Sequence, residues 1–252
     1  MRMFIIYTLA QNTYTMKDHY NTLVIGGGTG GIMVASQLLA KGLEKDIAII
    51  EPAKYHYYQP AWTLVGADTY EYEDTQRTMS SVMPEGADWL QQKVTKIKAD
   101  DNKVVLDNEK EVTYDYLIVS PGLKHDFSLV PGLQEVMDDP DSGVGSVYTD
   151  PEKVKKNIKR FEGGVALFTQ PTTPIKCGGA PQKIMYLAES AFKKQGVRDK
   201  AKVVFATNGG VIFGIKPVKE TLMKVVNRKN INLKFGHNLV EIDPKEKIAW
   251  YE

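Results

Sequence analysis

Residues 20–51 constrain the fold of this chain more than any other stretch. Residues 20–26, YNTLVIG, form an apolar run of strand length. GGGTGG comes next, and Gly26, Gly28 and Gly31 satisfy G-x-G-x-x-G. Gly31, Val34, Ala35, Leu38 and Leu39 then recur at helical spacing, and Gly42 suits the helix stop. A second apolar strand, residues 46–50, ends in Glu51, 20 residues after Gly31. The glycine spacing alone would be weak. In the order strand, glycines, helix, strand, acid it is a dinucleotide-binding fingerprint. The glycines let backbone approach a pyrophosphate at the positive end of the helix, and the acid accepts hydrogen bonds from a ribose. An acid at 51 fits FAD or NAD and disfavours a 2′-phosphate.

The stretch from 93 to 122 separates the two cofactors. Residues 93–119 read as a meander of short strands, with turns at Asp100-Asp101-Asn102 and near Asn108. The last strand runs into Ser120-Pro121-Gly122. Such an insertion resembles the FAD domain of flavoproteins with two dinucleotide-type domains, in which this final glycine lies near the cofactor. Residues 55–64, YHYYQPAWTL, are dense in aromatics and serve equally as a flavin contact or a packed wall, with His56 read as structural. Residues 123–162 are turn-rich and include a helix capped by Asp150 with Pro151 at its first position.

From residue 165 onward a second alternation begins. Strands at 165–168, 203–207 and 231–235 alternate with helices at 181–194 and 218–228. The loop after its first strand, TQPTTPIKCGGAP, has no glycine fingerprint. It holds Cys177, the one cysteine of the 252 residues. Lys176 precedes it, Gly178 and Gly179 come after it, and a helix starts at about Pro181. A neighbouring cation and a helix N-terminus both favour thiolate, so Cys177 is a candidate nucleophile as well as a candidate inert small hydrophobe.

Composition closes off other classes. With 42% hydrophobic and 25% charged residues at net charge +1, nothing marks a nucleic-acid binder. A single cysteine excludes an intrachain disulfide and a cysteine-based zinc site, and no metal site is expected. No apolar run reaches the roughly 18 residues of a membrane span. The first residues hold one arginine and lack a small-residue cleavage pattern, which argues against a signal peptide, and Met16 serves equally as a start.

GGGTGG, EPAKYHYYQPAWTLVGA, TTPIKCGGAPQKIMYLAE and IFGIKPV together resemble sulfide:quinone oxidoreductases, in the branch shared by mitochondria and many bacteria. The resemblance runs from Tyr20 to the end of the chain. It implies an α/β fold of two Rossmann-like (FAD/NAD(P)-binding) domains, both incomplete at the C-terminal end. The expected division is a disordered extension at 1–19, the first part of an FAD domain at 20–125, a crossover at 126–162, and a thiol-bearing second domain at 163–252.

The resemblance also implies FAD-dependent oxidation of hydrogen sulfide, with electrons passed to a membrane quinone. In the family two cysteines share the work, and sulfur leaves to glutathione, sulfite, cyanide or sulfide. Cys177 matches the cysteine that carries the persulfide. Thr29, Gly30, Glu51, Gln59 and Val94 match FAD contacts beside Gly26, Gly28, Gly31 and Gly122. The family's chains run longer and carry a second redox cysteine and C-terminal helices that dock on the bilayer. This chain is therefore expected to be a fragment with impaired turnover. Its expected place is peripheral, on the cytoplasmic face of a bacterial inner membrane, with the mitochondrial inner membrane as the alternative. The competing functions are a type 2 NADH:quinone oxidoreductase, disfavoured by the missing second fingerprint, and a non-catalytic FAD-binding or persulfide-carrying protein.

Overall fold

A computed structural model describes residues 16–252. Most of the expected N-terminal extension lies outside the described residues. In chain order the first elements are β1 (His19–Ile25), α1 (Thr29–Ala40), β2 (Ile47–Ile50), β3 (Tyr55–Tyr57), α2 (Trp62–Gly66), β4 (Gln76–Thr78) and α3 (Met79–Val82). Then come β5 (Ala87–Leu90), β6 (Val94–Lys98), β7 (Lys103–Leu106), β8 (Glu111–Val119), α4 (Leu133–Asp138) and α5 (Pro151–Lys159). The last are β9 (Gly164–Gln170), α6 (Ala180–Lys194), β10 (Ala201–Thr207), α7 (Lys216–Arg228), β11 (Asn232–Phe235), β12 (Leu239–Asp243) and β13 (Ile248–Tyr251). The chain forms two units. One runs to His56 and resumes over Arg77–Gly122; the other comprises Tyr57–Gln76 and Leu123–Glu252.

The first unit is built on a six-stranded sheet in the order β5-β2-β1-β8-β7-β6. β5, β2, β1 and β8 are parallel, and β8, β7 and β6 form the antiparallel meander. Parallel strands covered on both faces must be apolar throughout. Ile47, Ala48, Ile49 and Ile50 are accordingly all buried, as are Leu23, Val24 and Ile25 of β1. The turns predicted in the meander exist, with Asn102 and Glu109 in left-handed backbone. β5 escapes the sequence reading because it is short and carries Asp88 and Trp89 rather than an apolar run.

The second unit has a parallel sheet, β11-β10-β9, with α6 packed on it. The face predicted for α6 is the buried one: Ile184, Ala188 and Phe192 join the core, with Leu187 and Ala191 against it. Phe192 meets Phe161 at 4.4 Å between ring centroids. α5 starts where Asp150 and Pro151 place it. The Asp150 carboxylate accepts from the Lys153 N–H at 2.8 Å, a cap worth about 1 kcal/mol. α2 packs closely through Gly66, where an added Cβ would lie 3.2 Å from Ile184, Val147 and Val154 side chains.

Two features of this unit were not legible in its sequence. Glu189 on α6 is fully buried, and its carboxylate pairs with Lys193 at 2.9 Å, Arg198 at 3.2 Å and Lys229. Gly132 (φ +75°) leaves no room for a side chain, since a Cβ there would lie 1.9 Å from the Ile242 carbonyl oxygen of β12. The Ile242 N–H donates to the Pro131 carbonyl at 2.9 Å. No helix among the described residues is long and apolar enough to cross a membrane.

Candidate functional site

The glycine turn joins the end of β1 to α1, and its glycines divide by what surrounds them. Gly26 has φ +102°, and a Cβ would lie 2.3 Å from the Ser120 carbonyl oxygen. At Gly31 it would lie 2.0 Å from the Gly26 carbonyl oxygen, so α1 crosses directly over the turn. A Cβ at Gly28 would meet nothing within 4 Å among the described residues. Gly28, Thr29 and Gly30 are exposed, whereas Gly26, Gly27 and Gly31 are buried. The turn is thus packed at its first and third motif glycines and open at the second, as close approach by a pyrophosphate requires.

The start of α1 is open too. No side chain caps it, and its first turn contains no acid. The first intrahelical bond there is Ile32 N–H to the Gly28 carbonyl. The N–H groups of Thr29, Gly30 and Gly31 therefore remain available at the positive end of the helix.

Glu51, half-buried after β2, accepts from the Gly27 N–H through Oε2 and from the Ala53 N–H through Oε1, both at 2.8 Å. A carboxylate has about four acceptor positions, so two remain for ribose hydroxyls. The Trp89 indole N–H donates to the Glu51 carbonyl at 2.8 Å and pins the residue from β5. His56 Nδ1 lies 3.3 Å from the Gly27 carbonyl and buttresses the same turn, a structural role. Gly122 lies beyond β8 with φ +79° and no crowding, so its backbone conformation alone calls for glycine. Val94 opens the outer strand β6, opposite Leu106, with β7 and β8 between it and β1. The open turn, the uncapped helix start and the spare acceptors of Glu51 fit the pyrophosphate and ribose of a dinucleotide.

Cys177 belongs to the second unit and is exposed, three residues ahead of α6. α6 has no side-chain cap, and Pro181 sits in its first turn. The Cys177 carbonyl accepts from the Ala180 N–H at 3.2 Å and from the Tyr148 hydroxyl at 2.6 Å. The Lys176 ammonium donates to Gln59 Oε1 at 2.6 Å. Gln59 thus engages the thiol loop, and Lys176 has a neutral amide as its partner. Partial desolvation lowers the pKa of Lys176. His125 is also lowered, by burial and then by the charge on Lys176. Its ring stacks on Tyr148 at 5.9 Å and on Phe127 at 6.1 Å. Sequence reasoning missed Tyr148 and His125, because neither lies in a motif and both reach the cysteine loop only through folding.

The family model for pyridine nucleotide-disulphide oxidoreductases matches residues 20–164. The chain belongs to the pyridine nucleotide-disulphide oxidoreductase family. Within it, the chain is 41% identical over 238 residues to the mitochondrial sulfide:quinone oxidoreductase of Mus musculus, covering 94% of this chain and 53% of that protein. It is 42% identical over 241 residues to the mitochondrial sulfide:quinone oxidoreductase of Dictyostelium discoideum, with the same coverage. The crystal structure of the sulfide:quinone oxidoreductase of Aquifex aeolicus superposes with a TM-score of 0.74 at 22% identity, over 94% of this chain and 56% of that one. That likeness shows the shared pyridine nucleotide-disulphide oxidoreductase fold. The chain spans about half the length of the curated relatives it matches.

Proposed function

We propose that this chain carries the FAD turn and the sulfur-bearing thiol of a sulfide:quinone oxidoreductase. The reaction oxidises hydrogen sulfide and passes its electrons to a membrane quinone. The observation that carries this reading is Cys177. It is exposed in the first βα loop of the second unit, where a nicotinamide-binding relative would need glycines. The similarity to sulfide:quinone oxidoreductases over 94% of the chain supports it. The absent second fingerprint disfavours an NADH-dependent quinone reductase.

In this reading the N–H groups at the start of α1 hold the pyrophosphate of FAD, with Gly26, Gly28, Thr29, Gly30 and Gly31 shaping the approach. Glu51 holds the ribose. Val94 and Gly122 contribute backbone contacts, and Gln59 is a further FAD contact in this reading while it also bonds Lys176 of the thiol loop. Bound FAD would supply a two-electron acceptor. The Cys177 thiol takes up sulfur from one hydrogen sulfide molecule. As a sulfur–sulfur bond forms and the thiol becomes a persulfide, the pair of sulfurs loses two electrons, which bound FAD would accept for the quinone, and two protons, which leave to solvent. The outer sulfur then leaves to glutathione, sulfite, cyanide or sulfide. Access to quinone calls for a membrane surface that the protein meets without crossing it, at the cytoplasmic face of a bacterial inner membrane or at the mitochondrial inner membrane.

The test is the absorption spectrum of the 252-residue chain with added FAD, before and after sulfide, followed by mass analysis of Cys177. The reading predicts a bound flavin band, a persulfide on Cys177 after sulfide, and bleaching that is weak because this chain carries one of the family's two redox cysteines; Cys177→Ser should keep the flavin band and lose the persulfide and the bleaching. Bound FAD that sulfide leaves unbleached, with Cys177 unmodified, would overturn it. A persulfide formed without bleaching would favour a sulfur carrier over an oxidoreductase.

A further inference from the structure

The turn that carries Cys177 has little to hold it from within. A Cβ at Gly178 would meet nothing within 4 Å, and one at Gly179 would meet only the Cys177 Sγ, at 3.8 Å. Two glycines in succession leave the peptide planes free to rotate unless something outside the loop fixes them. Lys176 is fixed, through Gln59. The next peptide is fixed at its carbonyl, which accepts from the Ala180 N–H within the turn and from the Tyr148 hydroxyl outside it.

The Tyr148 bond is the shorter of the two, at 2.6 Å against 3.2 Å. Its donor is itself held. The Tyr148 ring lies nearly parallel to His125 (24°), and His125 lies nearly parallel to Phe127 (14°). The three rings form a column that delivers one hydroxyl to one carbonyl. Burial, and next the charge on Cys177, push the Tyr148 phenol up to about 12, so it remains a donor across the neutral range.

We propose that Tyr148 is the positioning residue of the Cys177 turn: its hydroxyl, aligned by the His125–Phe127 stack, fixes the peptide that aims the thiol. With both of its carbonyl lone pairs engaged, the Cys177–Gly178 peptide is held, and with it the Cα–Cβ bond from which the thiol projects. The use of that direction for sulfide rests on Cys177 being the sulfur-bearing thiol. The positioning itself can be measured on the thiol alone.

Cys177 is the one cysteine in the chain, so its alkylation by iodoacetamide reports on this turn without ambiguity. Tyr148→Phe keeps the ring and removes the hydroxyl. It should slow alkylation about two- to tenfold, the factor that corresponds to one net hydrogen bond. The ratio to wild type should stay constant from about pH 7 to about pH 9, where the stacked His125, held below its ordinary range, is neutral and a phenol titrating at about 12 remains a donor. His125→Ala should slow the reaction in part, and His125→Phe, which restores a ring to the stack, should return it to the wild-type rate. A purely structural role would lower Tm without this pattern of rescue.

An unchanged or faster rate in folded Tyr148→Phe would overturn the proposal. If that variant does not fold, the two His125 variants decide, and equal rates in both would overturn it. Persulfide analysis of the wild type runs alongside. Its failure would sink the sulfur-carrying reading while leaving the alkylation ratios to judge Tyr148.

Discussion

Replacing Glu189 by glutamine should destabilise the second unit by about 2–4 kcal/mol at neutral pH, a figure worked from its three partners. Lys193 is half-exposed (53%) and solvent-screened, so it accounts for only about 0.3–0.5 kcal/mol. Arg198 and Lys229 are 13% and 16% exposed, and their charges have been withdrawn from water around a carboxylate with no exposure. Removing one member of such a buried group typically costs about 3–5 kcal/mol, because the remaining charge stays buried without compensation. Glutamine keeps the shape and one acceptor, and Arg198 retains its bonds to the Ala201, Lys229 and Asn230 carbonyls, which trims the loss. Urea unfolding is the assay. In thermal unfolding, each 1 kcal/mol should appear as about 2–4 °C in Tm.

The effect has a pH signature. Burial pushes the Glu189 carboxyl up, but the ammonium groups of Lys229 and Lys193 pull it further down, so it ends below the ordinary range. A depressed carboxyl contributes its full stability above the unfolded value of 4.5 and loses it as pH falls through the lower folded value. The wild-type and Glu189→Gln curves should therefore converge in acid. A variant within about 0.5 kcal/mol of wild type at pH 7, or a gap that persists unchanged in acid, would refute this account of the network. Lys193→Ala serves as the internal control and should cost less than about 0.5 kcal/mol.

Two further substitutions separate packing from ligand approach. Gly31→Ala forces a Cβ to 2.0 Å from a backbone oxygen and should lower Tm and abolish FAD retention together. Gly28→Ala meets open space, so Tm should hold while FAD affinity falls; equal FAD affinity in Gly28→Ala and wild type would remove this turn as the pyrophosphate site. Asp150→Ala removes the cap of α5 and should cost about 1 kcal/mol in urea unfolding, with no effect on alkylation of Cys177.

What could be read from the sequence is what neighbours in the sequence decide. Gly26, Gly28 and Gly31 shape one turn, Asp150 caps the helix that begins beside it, and α6 shows its apolar face in its spacing. The parts that escaped depend on partners far along the chain. Glu189 looks like a solvated charge between Ala188 and Ser190 until Arg198 and Lys229 are folded against it. Lys176 shows in the sequence only as the cation beside a thiol; that its ammonium also bonds Gln59, far upstream, appears only in the fold. Tyr148 carries no motif, and its importance rests on a bond to a carbonyl, a group every residue has. Side-chain chemistry can be spelled in a sequence; a main-chain oxygen that needs a donor cannot.

The contact between Gly132 and Ile242 has a bearing on the order of assembly. The turn at Pro131–Gly132 closes locally, the Leu133 N–H donating to the Val130 carbonyl at 3.0 Å, but its packing is complete only when β12 lies against Gly132. A chain emerging from the ribosome must leave this turn uncovered on one side through the synthesis of the whole parallel sheet of the second unit. Covering it is a long-range event, slow for reasons of loop entropy alone. The Gly132–β12 contact is thus a late one, and residues 131–139 should gain their full protection from hydrogen exchange only together with the β12–β13 hairpin.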